Sequence, residues 1–198
     1  MPSDRFTRPE RKFIGEMLQG LLKEPGIYLT EVARCLGEGL KLKKTWERLN
    51  RNLRREGLWE RLIESHLAIN SRRIRRMQYC VIDVSDIQKQ EATKIEGLSW
   101  VRDGDKSSRG KPVIGRGFHW LNAVMVDKEA MLSVYSEAYS LELENSSENL
   151  KILGVVEKVG QIAPEVVFVL DRGGDRAKLL DELLSSQRRF IIRGAGQR

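Results

Sequence analysis

The stretch VVFVLDRGGDR (166–176) decides the reading of the fold. An apolar run from Val166 to Leu170 ends in Asp171, and an arginine, two glycines and a second carboxylate, Asp175, follow. A short apolar run bounded by Pro164 and by glycines has the character of a buried strand. DRAKLLDELLSSQ (175–187) then reads as a helix and RRFIIRG (188–194) as a strand, which opens a β-α-β alternation with parallel strands. Gly173 and Gly174 allow positive φ and close approach of another backbone, although a plain turn uses glycine too. Asp171 is therefore either a charge on a surface turn or a functional carboxylate at a strand end, while Asp175 sits where a helix N-cap belongs.

Working backwards, MQYCVIDV (77–84) is β-prone and ends near Asp83. Residues 88–117 are polar and glycine-rich, and read as a long loop with one short helical turn around Ile95–Leu98. FHWLNAVMVD (118–127) and AMLSVYSEAYS (130–140) pair as a hairpin through a tight turn at Asp127 and Lys128. ENLKILGVVEKVGQI (148–162) is an amphipathic helix with Asn145 or Ser146 as cap and Glu148 in its first turn. The order from residue 77 is β-β-β-α-β-α-β, a mixed sheet that is antiparallel first and parallel afterwards.

Upstream the chain is helical. ERKFIGEMLQGLLKE (10–24) places Phe13, Met17, Leu18, Leu21 and Leu22 at helical spacing, and Pro25-Gly26 stops it. Thr30 caps EVARCLGEGL. KKTWERLNRNLRREG (43–57) and LWERLIESHLAINSRRIRR (58–76) repeat the pattern, with Gly57 as a stop and His66 as a packed core histidine. Domain boundaries of 1–76 and 77–198 follow, and the fold class is α+β.

The 198-residue chain carries a net charge of +7, and its distribution is uneven. Between Lys41 and Arg76 stand 12 Lys and Arg against 4 Glu, a balance of +8 that exceeds the whole-chain excess. Clustered cations interleaved with Trp46 and Trp59 point to a polyanion, since each phosphate contact releases a condensed counterion. The residues singled out for DNA contact are Lys41, Lys43, Lys44, Arg48, Arg51, Arg55, Arg72 and Arg73; a set of solvated helix faces would look similar. Cys35 and Cys80 are isolated from any CxxC pattern, and with 2 histidines the chain suits no zinc site. The expectation is reduced thiols in a cytoplasmic protein without a membrane span or secretory signal.

If the first strand runs parallel to the fourth, Asp83 and Asp171 emerge at one sheet edge, where open α/β sheets bind ligands. Two carboxylates there repel, and an oxygen-seeking divalent cation relieves the repulsion. Such a cation suits hydrolysis of a phosphodiester. The other reading makes Asp83, Asp86, Asp171 and Asp175 separate structural caps, with Asp86 open as a ligand, a supporting residue or a cap.

VIDVSDIQK (81–89), EGLSWVRDGDKSSRGKP (96–112), SENLKIL (147–153) and DRGGDR followed by RRFIIRG together resemble the catalytic domain of bacterial insertion-sequence DDE transposases. YLTEVARCLGEGLKLKKTWERLNRNL (28–53) is similar to their N-terminal DNA-binding helices. The resemblance implies an N-terminal helical domain followed by a ribonuclease H-like mixed sheet flanked by helices. It implies Mg²⁺ or Mn²⁺ held by Asp83 and Asp171 as catalytic metal ligands, 88 residues apart, and Arg172 beside a DNA phosphate. The implied activity is cleavage and joining of double-stranded DNA at transposon ends and target sites, with a homodimer open as the assembly and a bacterial, nucleoid-associated location. That family's third acid is a glutamate beyond the last strand, within a Tyr, Arg, Glu, Lys pattern absent from this sequence. The expectation is a sheet left incomplete, a chain truncated before that glutamate, and no strand transfer by these residues alone. Glu148, which precedes Asp171, is not assigned to that role. Two other readings remain: a DNA-binding remnant that interferes with a full-length transposase, and a phosphohydrolase with an aspartate nucleophile in DVSD (83–86).

Overall fold

The computed structural model describes residues 5–24, 26–89, 91, 92, 94–108, 110–143 and 146–194. The chain forms two compact units, Met1–His66 and Leu67–Arg198.

The first unit is helical: α1 (Arg8–Lys23), α2 (Leu29–Cys35), α3 (Leu42–Leu53) and the start of α4 (Leu58–Ile74). At the head of α1 the Thr7 N–H donates to Glu10 Oε2 at 2.8 Å and the Thr7 hydroxyl to the same atom at 2.9 Å, which fixes the first turn. Phe13, Ile14, Val32, Ala33, Leu49 and Leu58 close a small core with Phe6. α2 differs from the sequence expectation. Tyr28 is its N-cap, so Thr30 lies inside the first turn, and the helix ends at Cys35 because Gly37 takes a φ of 58°. The proposed stop at Pro25 lies outside the described residues, and α1 ends with Glu24 as its C-cap.

The second unit is a mixed sheet with two helices following it. Its elements are β1 (Tyr79–Gln88), β2 (Ser99–Ser108), β3 (Lys111–Val126), β4 (Met131–Tyr139), α5 (Glu148–Ile162), β5 (Val167–Leu170), a single 3₁₀ turn (Arg172–Gly174), α6 (Ala177–Ser185) and β6 (Arg189–Ile192). The strand order is β2-β3-β1-β5-β6, with β4 also paired to β3. β1 is antiparallel to β3 and parallel to β5, and β5 is parallel to β6. The chain is thus α+β, with a mixed sheet that is antiparallel between β1 and β3 and parallel across β1, β5 and β6. Cys80, Ile82, Leu121, Ala123, Met125, Phe168 and Leu170 are buried from the sheet. Ile152, Val155, Val156 and Val159 of α5 and Leu179 and Leu183 of α6 supply the helical side of this core.

Four corrections to the sequence reading matter for the site. β1 runs on to Gln88, so Asp83 lies in mid-strand and does not end it; the ten-residue ladder from Tyr79↔Val126 to Gln88↔Gly117 holds the extra length. Most of the segment read as a loop is strand: β2 and the first part of β3 form a ribbon, giving one strand more than expected. The segment around Ile95–Leu98 is a turn, closed by the Leu98 N–H on the Ile95 carbonyl at 3.4 Å, with Gly97 at φ 74°. α5 is capped at Ser147, one residue beyond Ser146; Asn145 lies outside the described residues.

Candidate functional site

β1 and β5 lie parallel, and their last paired residues are Ile82 and Leu170. Asp171 follows immediately, at the edge where β5 ends. The Gly173 N–H donates to Asp171 Oδ1 at 2.8 Å, which fixes one carboxylate oxygen and leaves the exposed group at the mouth of a cleft. Gly173 and Gly174 are not among the residues with positive φ. Gly174 is required for closeness instead: a Cβ there would stand 2.8 Å from the Leu170 Cβ. Asp175 is not the N-cap of α6; that position is Arg176, because the 3₁₀ turn uses Asp175 as its own C-cap.

The cleft has a volume of about 790 Å³, and Asp86, His119, Glu148, Asp171 and Arg176 line it, with Arg102 and Lys106. Asp86 enters by strand alternation. Cys80 and Ile82 are buried, and Val84 and Asp86 continue their face, where Ile82, Val84 and Asp86 all border the cleft. Asp83 belongs to the opposite face, is exposed, and stands across the ladder from Asn122. Asp86 and Asp171 thus both border the cleft and Asp83 is outside its lining, while the parallel register Val81↔Val169 and Ile82↔Leu170 makes Asp83 the next position beside Asp171.

Arg176 is the hub of the cleft. Its guanidinium donates to a Glu148 carboxylate oxygen, to Asn149 Oδ1 at 2.9 Å and to the Gly173 carbonyl at 2.6 Å. It ties the first turn of α5 to the loop that carries Asp171 and neutralises Glu148. Behind this group, Tyr139 stacks on His119 with ring centroids 5.3 Å apart. Burial, then the charge of Glu148, pushes the Tyr139 phenol well above the usual range, so it stays protonated. His119 Nε2 is buried and has no hydrogen-bond partner among the described residues.

Sequence reasoning named Glu148 but gave it no place in the site, and it missed Arg176, His119 and Arg102 in the cleft lining. Glu148 had a signal: a helix that leads into a parallel strand begins at the edge where the strands end, so its first turn reaches that edge. Among the described residues no group of three or more His, Cys, Asp or Glu side chains could hold a metal ion. The aspartates that border the cleft are Asp86 and Asp171, and a donor set made of them would be two carboxylates. Its chemistry is that of a hard divalent cation, while Glu148 is committed to Arg176.

The basic residues of the helical unit separate into two groups. Lys41, Lys43, Lys44 and Arg51 are exposed on or beside α3, whose other face buries Thr45, Leu49 and Asn52. Arg48 turns inward, donating to Glu16 and to Glu38 Oε2 at 2.7 Å. Arg55 faces Glu10 at 3.7 Å beside Arg61 at 2.6 Å. Burial raises the cost of the charges on Glu10 and Glu38. Hydrogen bonds from Thr7 and Thr45 and the neighbouring cations more than offset it, so both carboxyls titrate below their ordinary value. In the second unit Arg72, Arg73 and Arg172 are exposed, and Arg73 donates to the Met131 carbonyl at 3.4 Å. No described helix is long and apolar enough to cross a membrane.

No protein-family model matches the sequence, and no curated protein matches it either. Among solved structures the chain is similar to a piggyBac transposase synaptic complex with hairpin DNA, at 11% identity and a TM-score of 0.44, covering 100% of this chain and 45% of that one. It is also similar to the Mos1 strand transfer complex, at 14% identity and a TM-score of 0.33, covering 98% and 60%. A Mos1 mariner paired end complex with Mn gives 14% identity, a TM-score of 0.33, and coverage of 98% and 61%. The chain spans about half the length of these transposases.

Proposed function

We propose that this chain binds DNA as part of a transposase of the bacterial insertion-sequence DDE type. On this reading, residues 1–76 are its DNA-binding helical region and residues 77–198 its phosphoryl-transfer domain. The observation that carries the proposal is that Asp86 and Asp171 border one cleft at the parallel-strand edge, together with the cations Arg102 and Lys106. Carboxylates beside cations suit a phosphodiester: the acids hold Mg²⁺ or Mn²⁺ and the cations hold the strand. When bound, the metal supplies positive charge to the phosphodiester and lowers the pKa of water. Asp171 is positioned for this by the Gly173 N–H, and Arg176 holds its loop against α5. Asp83 keeps a place as the ligand that the family resemblance implies, in competition with Asp86.

A second reading, DNA binding without cleavage by these residues alone, draws support from the two-carboxylate count and from the neutralisation of Glu148 by Arg176. One experiment separates the two. Duplex affinity is followed by gel shift over a salt series, and supercoiled plasmid is incubated with the chain and Mn²⁺. The transposase reading expects affinity that falls steeply with salt and nicking that Asp171→Asn abolishes. Binding without nicking selects the second reading. No binding at low salt overturns both.

A further inference from the structure

The ribbon made by β2 and the first part of β3 buries Val101 on one face, yet on the other it presents a large aromatic side chain to solvent. β1 pairs with β3 only from Gly117 onward, and β4 only from His119 onward, so Lys111–Gly115 is held by β2 alone. The cross-strand pairs Trp100↔Arg116 and Arg102↔Ile114 put four side chains on one ribbon face. Trp100 is 61% exposed and Ile114 58% exposed. The Arg116 guanidinium lies 5.0 Å from the centre of the Trp100 ring, leaving the rest of the indole open. From the same face Arg102 reaches the lining of the cleft, where Lys106 joins it.

We propose, resting on the DNA-binding reading above, that this ribbon is a docking surface for an unpaired nucleotide strand. Trp100 stacks one base, and Arg102 and Lys106 guide the adjoining phosphates toward Asp171. The chemistry selects that occupant. A hydrophobic protein partner would use the ring and Ile114 but leave the cations against apolar surface. A polynucleotide satisfies both, since every base offers a π-face and every link a negative charge. The strand is unpaired because an indole on a ribbon surface can stack only on a base that has left its own stack.

The test titrates the full chain and its Trp100→Ala and Trp100→Phe variants with fluorescein-labelled oligo-dT and, separately, with duplex of equal length. Trp100→Ala is expected to weaken oligo-dT binding roughly five- to a hundredfold, with duplex affinity unchanged, while Trp100→Phe retains most of the oligo-dT affinity. Oligo-dT is also expected to quench tryptophan emission of the unmodified chain, a readout that needs no substitution. Unchanged oligo-dT affinity in Trp100→Ala, equal losses for duplex and single strand, or no quenching overturns the inference. If the unmodified chain binds duplex in any of those cases, the DNA-binding reading survives. If it binds neither nucleic acid, both fall.

Discussion

Asp83 and Asp86, three residues apart on β1, stand on opposite faces of the sheet, and Asp86 shares the cleft with Asp171. Because side chains alternate along a strand, no small adjustment of loops exchanges them. On the proposed reading with Asp86 as ligand in place of Asp83, a divalent cation in the cleft would depend on Asp86 and Asp171. Asp86→Asn and Asp171→Asn are each expected to weaken Mn²⁺ binding, read by electron paramagnetic resonance, by roughly tenfold or more. Asp83→Asn leaves it unchanged. A loss with Asp83→Asn and none with Asp86→Asn would reverse the assignment.

Glu10 makes the helical unit sensitive to acid. Its carboxyl, and that of Glu38, titrate below the ordinary value in the folded chain, so on acidification the unfolded chain takes up these protons first. Their stabilisation is complete above the ordinary carboxylate range and is lost as pH falls through the depressed folded values. Glu10→Gln, which keeps the shape but removes the charge facing Arg61 and Arg55, should cost about 2 kcal/mol at neutral pH. The difference from the unmodified chain should shrink in urea melts at pH 3.

The two thiols should be told apart by reactivity. Cys80 is fully buried in β1, and burial pushes its thiol up to about 12, whereas Cys35 is partly exposed. A thiol reagent at pH 8 is expected to label Cys35 in the native chain and Cys80 only after unfolding. Equal labelling of both in the native chain would contradict the buried position of β1.

Gly117 is where β3 leaves the ribbon and enters the main sheet. A Cβ there would lie 2.2 Å from the backbone carbonyl oxygen of Ile87, and a backbone atom cannot swing aside as a side chain does. Gly117→Ala should destabilise the second unit by roughly 2 kcal/mol or more. Gly154→Ala, in α5 with open space around it, should be neutral or slightly stabilising. Comparing the two in thermal melts controls for the substitution itself.

The parallel pair of β1 and β5 was legible because both strands are written as continuous apolar runs, YCVI and VFVL, even though only alternate residues of each are buried. The hairpin of β3 and β4 and the helices α1, α3, α4 and α5 were legible from periodicity. β2 was not: Ser99 and Val101 are buried at its start, but SWVRDGDKSS (99–108) as a whole has the composition of a loop. The extent of β1 suffered from the same blind spot. Asp83 was placed at a strand end because the apolar run stops there, while hydrogen bonding to β3 carries β1 five residues further to Gln88. That extension puts Asp86 in register opposite His119 and into the cleft. Arg176 escaped notice because a cation beside three polar acceptors is a tertiary arrangement with no local spacing to announce it.

The position of β1 in the middle of the sheet also has a cost in time. Tyr79 finds its parallel partner in Val167, 88 residues later. During synthesis at about 5–20 residues per second, one side of β1 waits on the order of ten seconds for that partner. Throughout that interval its unpaired amides and its apolar residues Val81 and Ile82 form an open edge of the kind that recruits other chains. The sheet that carries Asp86 and Asp171 is thus also exposed to misassembly while it is being made.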